Sequence, residues 1–261
     1  MTIDLPEPRC SLELLARRLS ESIALSVREQ ELLLRQTRFV TGYEPGSSVR
    51  MPTNPDLRPT VIASGWACRE SITPGGRRQL LSILLPGDVI WCGGDECPID
   101  LLETVAITRL KVVNLASALR AMDPDPATFA SLLRGLKLLQ REEEHELVEH
   151  AVRLGLRADQ RIAGLILHLF DRCRRIGFVT GRSFVMPLRQ ACFGNLAGLS
   201  KIHVNRVLRQ LKAEGTIRWS RGIVEILDRR SLASIAEGSR QGETWHERRY
   251  NDVPECAAAG A

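Results

Sequence analysis

The stretch Gln190–Leu211, QACFGNLAGLSKIHVNRVLRQL, constrains this chain more than any other. Its pattern predicts two short helices joined by a tight turn. Gly198 falls where the chain must reverse, a place for a residue that reaches positive φ without steric cost. Ser200 follows with a hydroxyl suited to capping the next helix. Val204, Val207, Leu208 and Leu211 then recur at helical spacing and define a buried face. The opposite face presents Ile202, Arg206 and Arg209, with Lys201, His203 and Asn205 at its margins. A short helix that is apolar behind and basic in front suits insertion into a DNA major groove.

Charge placement supports that reading. Net charge is +5, yet Arg189–Gly222 alone holds seven Lys/Arg against a single acid, Glu214. The remainder is therefore close to neutral, and a locally dense basic segment fits a polyanion whose phosphates reward it. No apolar run is long enough to span a bilayer, so no membrane partner is expected. The first residues lack a basic segment followed by an apolar core, so no signal peptide is read and the expected compartment is the cytoplasm. The 7 cysteines are scattered and odd in number, which argues against a disulfide framework. Cys92-Gly-Gly-Asp-Glu-Cys97 hints only weakly at a metal or redox loop, and reduced thiols are the better reading.

Met1–Glu7 has the composition of a disordered tail, and Ser11 to about Arg35 is helix-prone. Between Phe39 and Leu115 short apolar runs (Val61–Ala63, Leu80–Leu85, Val89–Trp91, Val105–Ile107, Lys111–Leu115) alternate with the turns Glu44-Pro45-Gly46, Pro74-Gly75-Gly76 and Pro86-Gly87-Asp88. This texture predicts a small antiparallel barrel or jelly roll, able to enclose a small ligand. A helix is then expected from Pro124 or Pro126 unbroken to Leu154. Its stripe is Phe129, Leu132, Leu133, Leu136, Leu139, Leu147 and Leu154. Such length and spacing suit pairing with a second copy, or packing along the chain's own barrel. The charged middle, Arg141–Glu146, reads as polar surface. The spacings His145/Glu149 and Glu146/His150 could ligate a metal but more often mark ion pairs, so no metal site is assigned.

Gly155 breaks that helix and offers a hinge. Asp159–Arg174 is amphipathic, with His168 expected to be packed and neutral. Gly177–Pro187 reads as a connecting strand, and Gly215–Asp228 as a hairpin around Ser220-Arg221-Gly222. A hairpin after a groove-reading helix is a wing, from which Arg218 and Arg221 could touch phosphates. The end, from about Ser239, reads as a loose tail.

Barrel, long helix, hinge and winged helix-turn-helix, in that order, resemble the Crp/Fnr family of bacterial transcription regulators over roughly residues 20–235. The motifs carrying the resemblance are SGWACRESITPGGRRQLLSILLPGDV (Ser64–Val89), LGLRADQRIAGLILHL (Leu154–Leu169) and LAGLSKIHVNRVLRQLKAEGTI (Leu196–Ile217). The resemblance implies an α+β chain: an N-terminal antiparallel β jelly-roll barrel of the cyclic-nucleotide-binding-like kind, a long dimerisation helix and a C-terminal winged helix-turn-helix. The corresponding division is 1–19 tail, 20–123 sensor barrel, 124–154 dimerisation helix, 155–230 DNA-binding domain and 231–261 tail. It further implies a homodimer on double-stranded promoter DNA, with RNA polymerase as a further partner and no catalytic residues.

Carried over residue by residue, Arg206 matches the base-reading arginine and Lys201 a second basic reader. Ser200 and His203 match positions that contact phosphate. Where many members have a cytosine-reading glutamate, this chain has Ile202, which could touch only something like a thymine methyl. The sensor departs further. Leu101-Leu102 occupies the approximate place of the Arg-Ser/Thr that holds a cyclic phosphate, which argues against cAMP. Cys10 stands alone where an iron–sulfur branch needs a cluster, which argues against that cofactor; haem, another small molecule or no ligand stay open. Two other readings are a small-molecule receptor whose helical domain contacts protein, and a cupin-like metalloenzyme. The last lacks inward histidines, since none precedes Glu144.

Overall fold

The structure is a computed structural model that describes residues 12–35, 40–49, 59–90, 102–122 and 126–238. Two helices, α1 (Glu13–Ser22) and α2 (Val27–Arg35), stand where one helix-prone stretch was expected, because the chain extends at Ile23. Residues 12–19 of the expected 1–19 tail are thus structured, with Leu15 and Leu19 fully buried. The expected disorder of Met1–Glu7 lies outside the described residues, as does Cys10.

The barrel comprises two sheets. One has the order β1-β7-β2-β5, from β1 (Val40–Tyr43), β2 (Thr60–Ser64), β5 (Val89–Ile90) and β7 (Leu110–Asn114). The other is β4-β3-β6, from β3 (Ala67–Ile72), β4 (Arg78–Leu84) and β6 (Leu102–Ala106). Every pairing is antiparallel. The sheets face each other across Ile62, Ala67, Leu84, Ile90, Ala106 and Val112. Because side chains alternate along a strand, the next residues point outward, and over the central strands these outer positions are covered too. Val61, Ala63, Val89 and Val113 meet α1, α2 and the start of α4 (Ala130–Leu154). Cys68, Ile83 and Leu85 meet the C-terminal helices. Strands buried on both faces lose their alternation, which is why they read as continuous apolar runs. β3 escaped that reading because Arg69 and Glu70 lie within it, both buried.

A short helix, α3 (Ala116–Met122), and a 3-10 turn at Pro126–Phe129 precede α4, so the expected single helix begins later, at Ala130. Its start is capped from a distance. The buried carboxylate of Glu29 on α2 accepts from the amide of Leu132 at 2.7 Å and from that of Ser26 at 2.7 Å. Negative charge there complements orphan amides and the helix dipole. Leu132, Leu136 and Leu139 pack into the chain's own core, whereas Val148 and Val152 farther along are 61% and 49% exposed.

The charged middle of α4 is solvated on one side only: Arg141, Glu144 and His145 are exposed, whereas Glu143 and Glu146 turn inward. Glu143 lies 2.7 Å from Arg69 of β3, in a buried approach that lacks hydrogen-bonding angles. Glu146 lies 3.1 Å from Arg172 of α5 (Ala158–Arg175). Arg172 is itself buried; it also binds Asp88 in the β4–β5 turn and donates to the carbonyl of Ile83 at 2.6 Å. Asp88 in turn binds Arg18 of α1 and accepts from the amide of Leu85. One ionic cluster therefore joins barrel, long helix and C-terminal domain.

The remaining elements are β8 (Val179–Thr180), β9 (Ser183–Val185), α6 (Gln190–Leu196), α7 (Lys201–Ala213), β10 (Ile217–Ser220), β11 (Ile223–Ile226) and α8 (Arg229–Glu237). The supposed connecting strand is a hairpin, β8–β9, whose second arm pairs with β11 in a sheet ordered β10-β11-β9-β8. The expected tail from 231 begins instead as α8. Asp228 caps it through the amide of Ser231 at 3.0 Å, and Leu232 is fully buried against the domain core. The chain beyond Gly238 lies outside the described residues. Gly155 takes ordinary right-handed helical angles, so its conformation does not require glycine.

The buried charges have two consequences for stability. Arg172→Ala leaves Glu146 half-buried without its cation and Asp88 with Arg18 alone, and urea denaturation is expected to show a loss of about 3–5 kcal/mol. Burial, partly offset by Arg69, pushes the Glu143 carboxyl up from 4.5 to about 7. The folded state therefore holds this proton where the unfolded chain has released it. The group's contribution favours folding at low pH and is lost as pH rises from about 4.5 to about 7. Glu143→Gln should remove that downward component from the pH dependence of unfolding free energy, whatever its effect on absolute stability.

Candidate nucleic-acid interface

Helices α6 and α7 meet at a turn built on two glycines. Gly198 has φ +63, and a Cβ there would sit 2.8 Å from Leu154 Cδ2. Gly194 needs its bareness for contact: a Cβ would lie 2.8 Å from Val204 Cγ2 and 3.0 Å from the carbonyl oxygen of Leu199. The amide of Leu199 donates to the Gly194 carbonyl at 2.8 Å, closing the turn. Ser200 caps α7 by accepting from the His203 amide at 3.4 Å, and its hydroxyl lies 3.1 Å from Nδ1 of the His203 ring.

Behind α7, Val204, Val207, Leu208 and Leu211 are buried, as their spacing demanded. In front, Lys201, Ile202, His203, Arg206 and Arg209 are exposed, with Asn205 half-buried. Ile202 is 80% exposed, an unusual position for an aliphatic side chain. Among the described residues Lys201, Arg206, Arg209 and Arg221 have no ion-pair partner. Their charge therefore faces solvent uncompensated.

The wing turns on two residues of positive φ, Arg221 at 49 and Gly222 at 77, between the paired Ser220 and Ile223. That is a type I′ hairpin turn, whose twist matches its strands, and it sets Arg221 at the tip. Arg218 is different: it is engaged with Glu225 across the hairpin at 2.6 Å. Arg221 thus suits a phosphate contact better than Arg218 does. The wing is fixed to the helices by Trp219 against Phe193, edge to face at 5.1 Å, and by Lys212 donating to the Trp219 carbonyl at 3.0 Å.

The attachment of this unit to the barrel was not foreseen from the sequence. Asn195 on α6 accepts from the amide of Leu80 at 2.7 Å and donates to the carbonyl of Arg78 at 2.8 Å, occupying the free edge of β4. Gln79 donates to the backbone carbonyl of Asn195 at 2.8 Å. A lone asparagine inside a short helix carries no periodic signal that would have revealed this.

The other sequence candidates take less prominent places. His145 pairs with Glu149 at 3.2 Å, and no cluster able to hold a metal ion occurs among the described residues. His168 is desolvated beside Arg172, which pushes its pKa down to about 2 and keeps the ring neutral. Cys92, Cys97 and Leu101 lie outside the described residues, while Leu102 is half-buried at the start of β6. Among the described residues no helix is long and apolar enough to cross a membrane.

Residues 160–235 match the family model of the Crp-like helix-turn-helix domain. The nitrogen fixation regulation protein FixK of Bradyrhizobium diazoefficiens is 24% identical over 217 residues, 82% of this chain and 86% of that protein. The transcriptional activator protein Anr of Pseudomonas protegens is 24% identical over 187 residues, 70% of this chain and 74% of its own. The solved structure of FixK2 from Bradyrhizobium japonicum shares the fold, with a TM-score of 0.62 at 22% identity over 75% of this chain and 96% of that one. These similarities agree with the exposed basic helix and its wing: residues 160–235 carry a Crp-like helix-turn-helix domain, and the chain is a DNA-binding transcriptional regulator similar to those of the Crp/Fnr family.

Proposed function

We propose that the chain acts as a homodimer on an inverted-repeat promoter site, each copy placing α7 in one of two successive major grooves about 34 Å apart. The observation that carries this is the free basic front of α7, held rigid by a fully apolar back. Arg206 is the base reader, since its guanidinium is exposed and unpaired and arginine matches the O6/N7 edge of guanine. Lys201 is the second reader. Ser200, His203 and Arg209 approach phosphates, and Arg221 does so from the wing; Arg218 contributes only if it leaves Glu225. Ile202 meets an apolar base edge such as a thymine methyl, and Asn205 is too covered to lead. RNA polymerase is the further partner of the assembled complex, whose barrel is the sensing part.

The dimer forms along the later turns of α4, where Val148 and Val152 share an exposed apolar face. Val148→Glu together with Val152→Glu should convert the protein to a monomer in sedimentation and weaken binding to a two-half-site DNA. An unchanged dimer would remove α4 as the pairing surface.

Arg206→Ala should cost about 1–3 kcal/mol on the preferred site and relax selectivity at one base pair, measured by gel shift against single-position site variants. Arg221→Ala should instead weaken all sequences alike and reduce the slope of log affinity against log salt by about 1. An affinity indifferent to salt would point to a protein partner rather than DNA.

A further inference from the structure

We propose that two paired α4 helices hold a divalent transition-metal cation of the zinc class on their two-fold axis, ligated by His145 and Glu149 of both copies. The inference rests on the α4 pairing proposed above and names what that seam binds. Along the outer side of α4, Leu138, Arg141, His145, Val148, Val152 and Gly155 follow at alternating steps of three and four residues, all but Leu138 exposed. The residues buried in the chain's own core, Leu132, Leu136, Leu139 and His150, lie on the opposite side. This is the heptad spacing of a helix seam, with His145 and Val152 at a and Val148 at d. Glu149 then takes the flanking e position. The pairing has to be parallel, because each C-terminal domain leaves α4 at the same end. An antiparallel pair of this 25-residue helix, about 37 Å long, would send the two domains to opposite ends, away from one DNA face. In a parallel pair the residues at a meet their own equivalents, so His145 faces His145 of the second copy.

The donors already converge. His145 Nε2 lies 3.2 Å from Glu149 Oε1, with the two side chains 68% and 47% exposed. Neither makes another hydrogen bond or ion pair among the described residues. Zinc held tetrahedrally at about 2.0–2.1 Å sets neighbouring ligand atoms about 3.3 Å apart, so this pair spans one edge of such a shell. Imidazole nitrogen and carboxylate oxygen are both zinc ligands. One chain supplies only two of them, and the site is incomplete without the second copy. Symmetry favours a cation as well. Two neutral imidazoles across a two-fold axis cannot donate to and accept from each other equivalently, and two protonated ones repel, whereas a cation on the axis bonds both alike. The flank offers no substitute: Glu144, at g, is set opposite Glu149 of the second copy, two acids where an ion pair usually closes a seam. The nearest cations along α4 are Arg141, one turn before His145, and Arg153, one turn after Glu149. Arg153 acts on Glu149 through space without pairing with it, so it tempers the local charge and leaves the donor atoms free. A cation so held ties the two long helices together just before the DNA-binding domains. It thereby couples dimer strength, and with it the grip on a two-half-site DNA, to the supply of metal.

The test is sedimentation equilibrium of the full chain without an affinity tag, reduced and freed of metal by a chelator, with and without Zn2+. Zinc is expected to bind at one ion per two chains and to lower the dimer dissociation constant by about tenfold or more, as ligand linkage requires. His145→Ala and Glu149→Gln, both on the exposed side of α4, should each abolish that response and keep the metal-free dimer. Co2+ in place of zinc should give the visible absorption of a tetrahedral site without the near-ultraviolet band of thiolate ligation, which separates this site from the cysteines. A dimer that Val148→Glu with Val152→Glu disrupts, but that zinc does not tighten, overturns the cation site and leaves the α4 pairing standing. A dimer indifferent to those two valine changes overturns both. A zinc response unaltered in His145→Ala and Glu149→Gln also overturns the cation site, as does a cobalt spectrum dominated by thiolate.

Discussion

The buried contact between Arg172 and Asp88 governs how this molecule is put together. Arg172 belongs to the first helix of the C-terminal domain, and Asp88 to a turn of the barrel, yet each is nearly inaccessible to solvent. Two charges out of water tolerate each other only with close geometry and every remaining hydrogen bond made, and both demands are met here. Arg172 also reaches Glu146 and the Ile83 carbonyl, and Asp88 reaches Arg18 and the Leu85 amide. Moving either domain would strand a charge, so the ion pair restricts the relative placement of the parts more than it adds to net stability.

Around that point the architecture is a set of shared surfaces. The central strands of both barrel sheets are buried on both faces, one outer face covered by the N-terminal helices and α4, the other by the C-terminal domain, while β1 forms an exposed edge. Asn195 adds a directional constraint at the β4 edge, where two backbone groups would otherwise be open. The reading helix is thereby carried on a rigid support, while the cations of its front stay free of internal ion pairs. Exposed, unpaired charge on a stiff helix loses little on meeting a phosphate surface, since no internal ion pair must first break.

The reading head was largely legible from residue order. Buried Val204, Val207, Leu208 and Leu211, exposed Ile202 and Arg206, the glycine turn and the Ser200 cap all follow from local helical periodicity and turn chemistry. The barrel was legible as a class but incompletely by strand. β3 carries buried Arg69 and Glu70, and a charge that finds a partner far along the chain breaks the apolar pattern. The same cause hid the role of Arg141–Glu146, whose run of acids looks like solvated surface until Arg69 and Arg172 are seen opposite. α8 was missed because its apolar stripe, Leu232, Ile235 and Ala236, spans little more than one turn and only Leu232 is fully buried.

What the sequence by itself determined is whatever depends on neighbours within a turn or two: the helix-turn-helix, the wing, the double-sided strands, and the basic front of α7. Those features arise from dihedral preferences and hydrophobic period, which act locally. Only the tertiary structure decided which cations are spent and which are free. Arg218 and Arg206 are equally basic in the chain, but Glu225 lies across a hairpin from one and no described carboxylate pairs with the other. Pairing at that range depends on where the backbone brings distant side chains, and no local rule encodes it. For the same reason the stretch Gln190–Leu211 announced a DNA reader, while its fastening to a sensor through Asn195 and Arg172 became visible only in three dimensions.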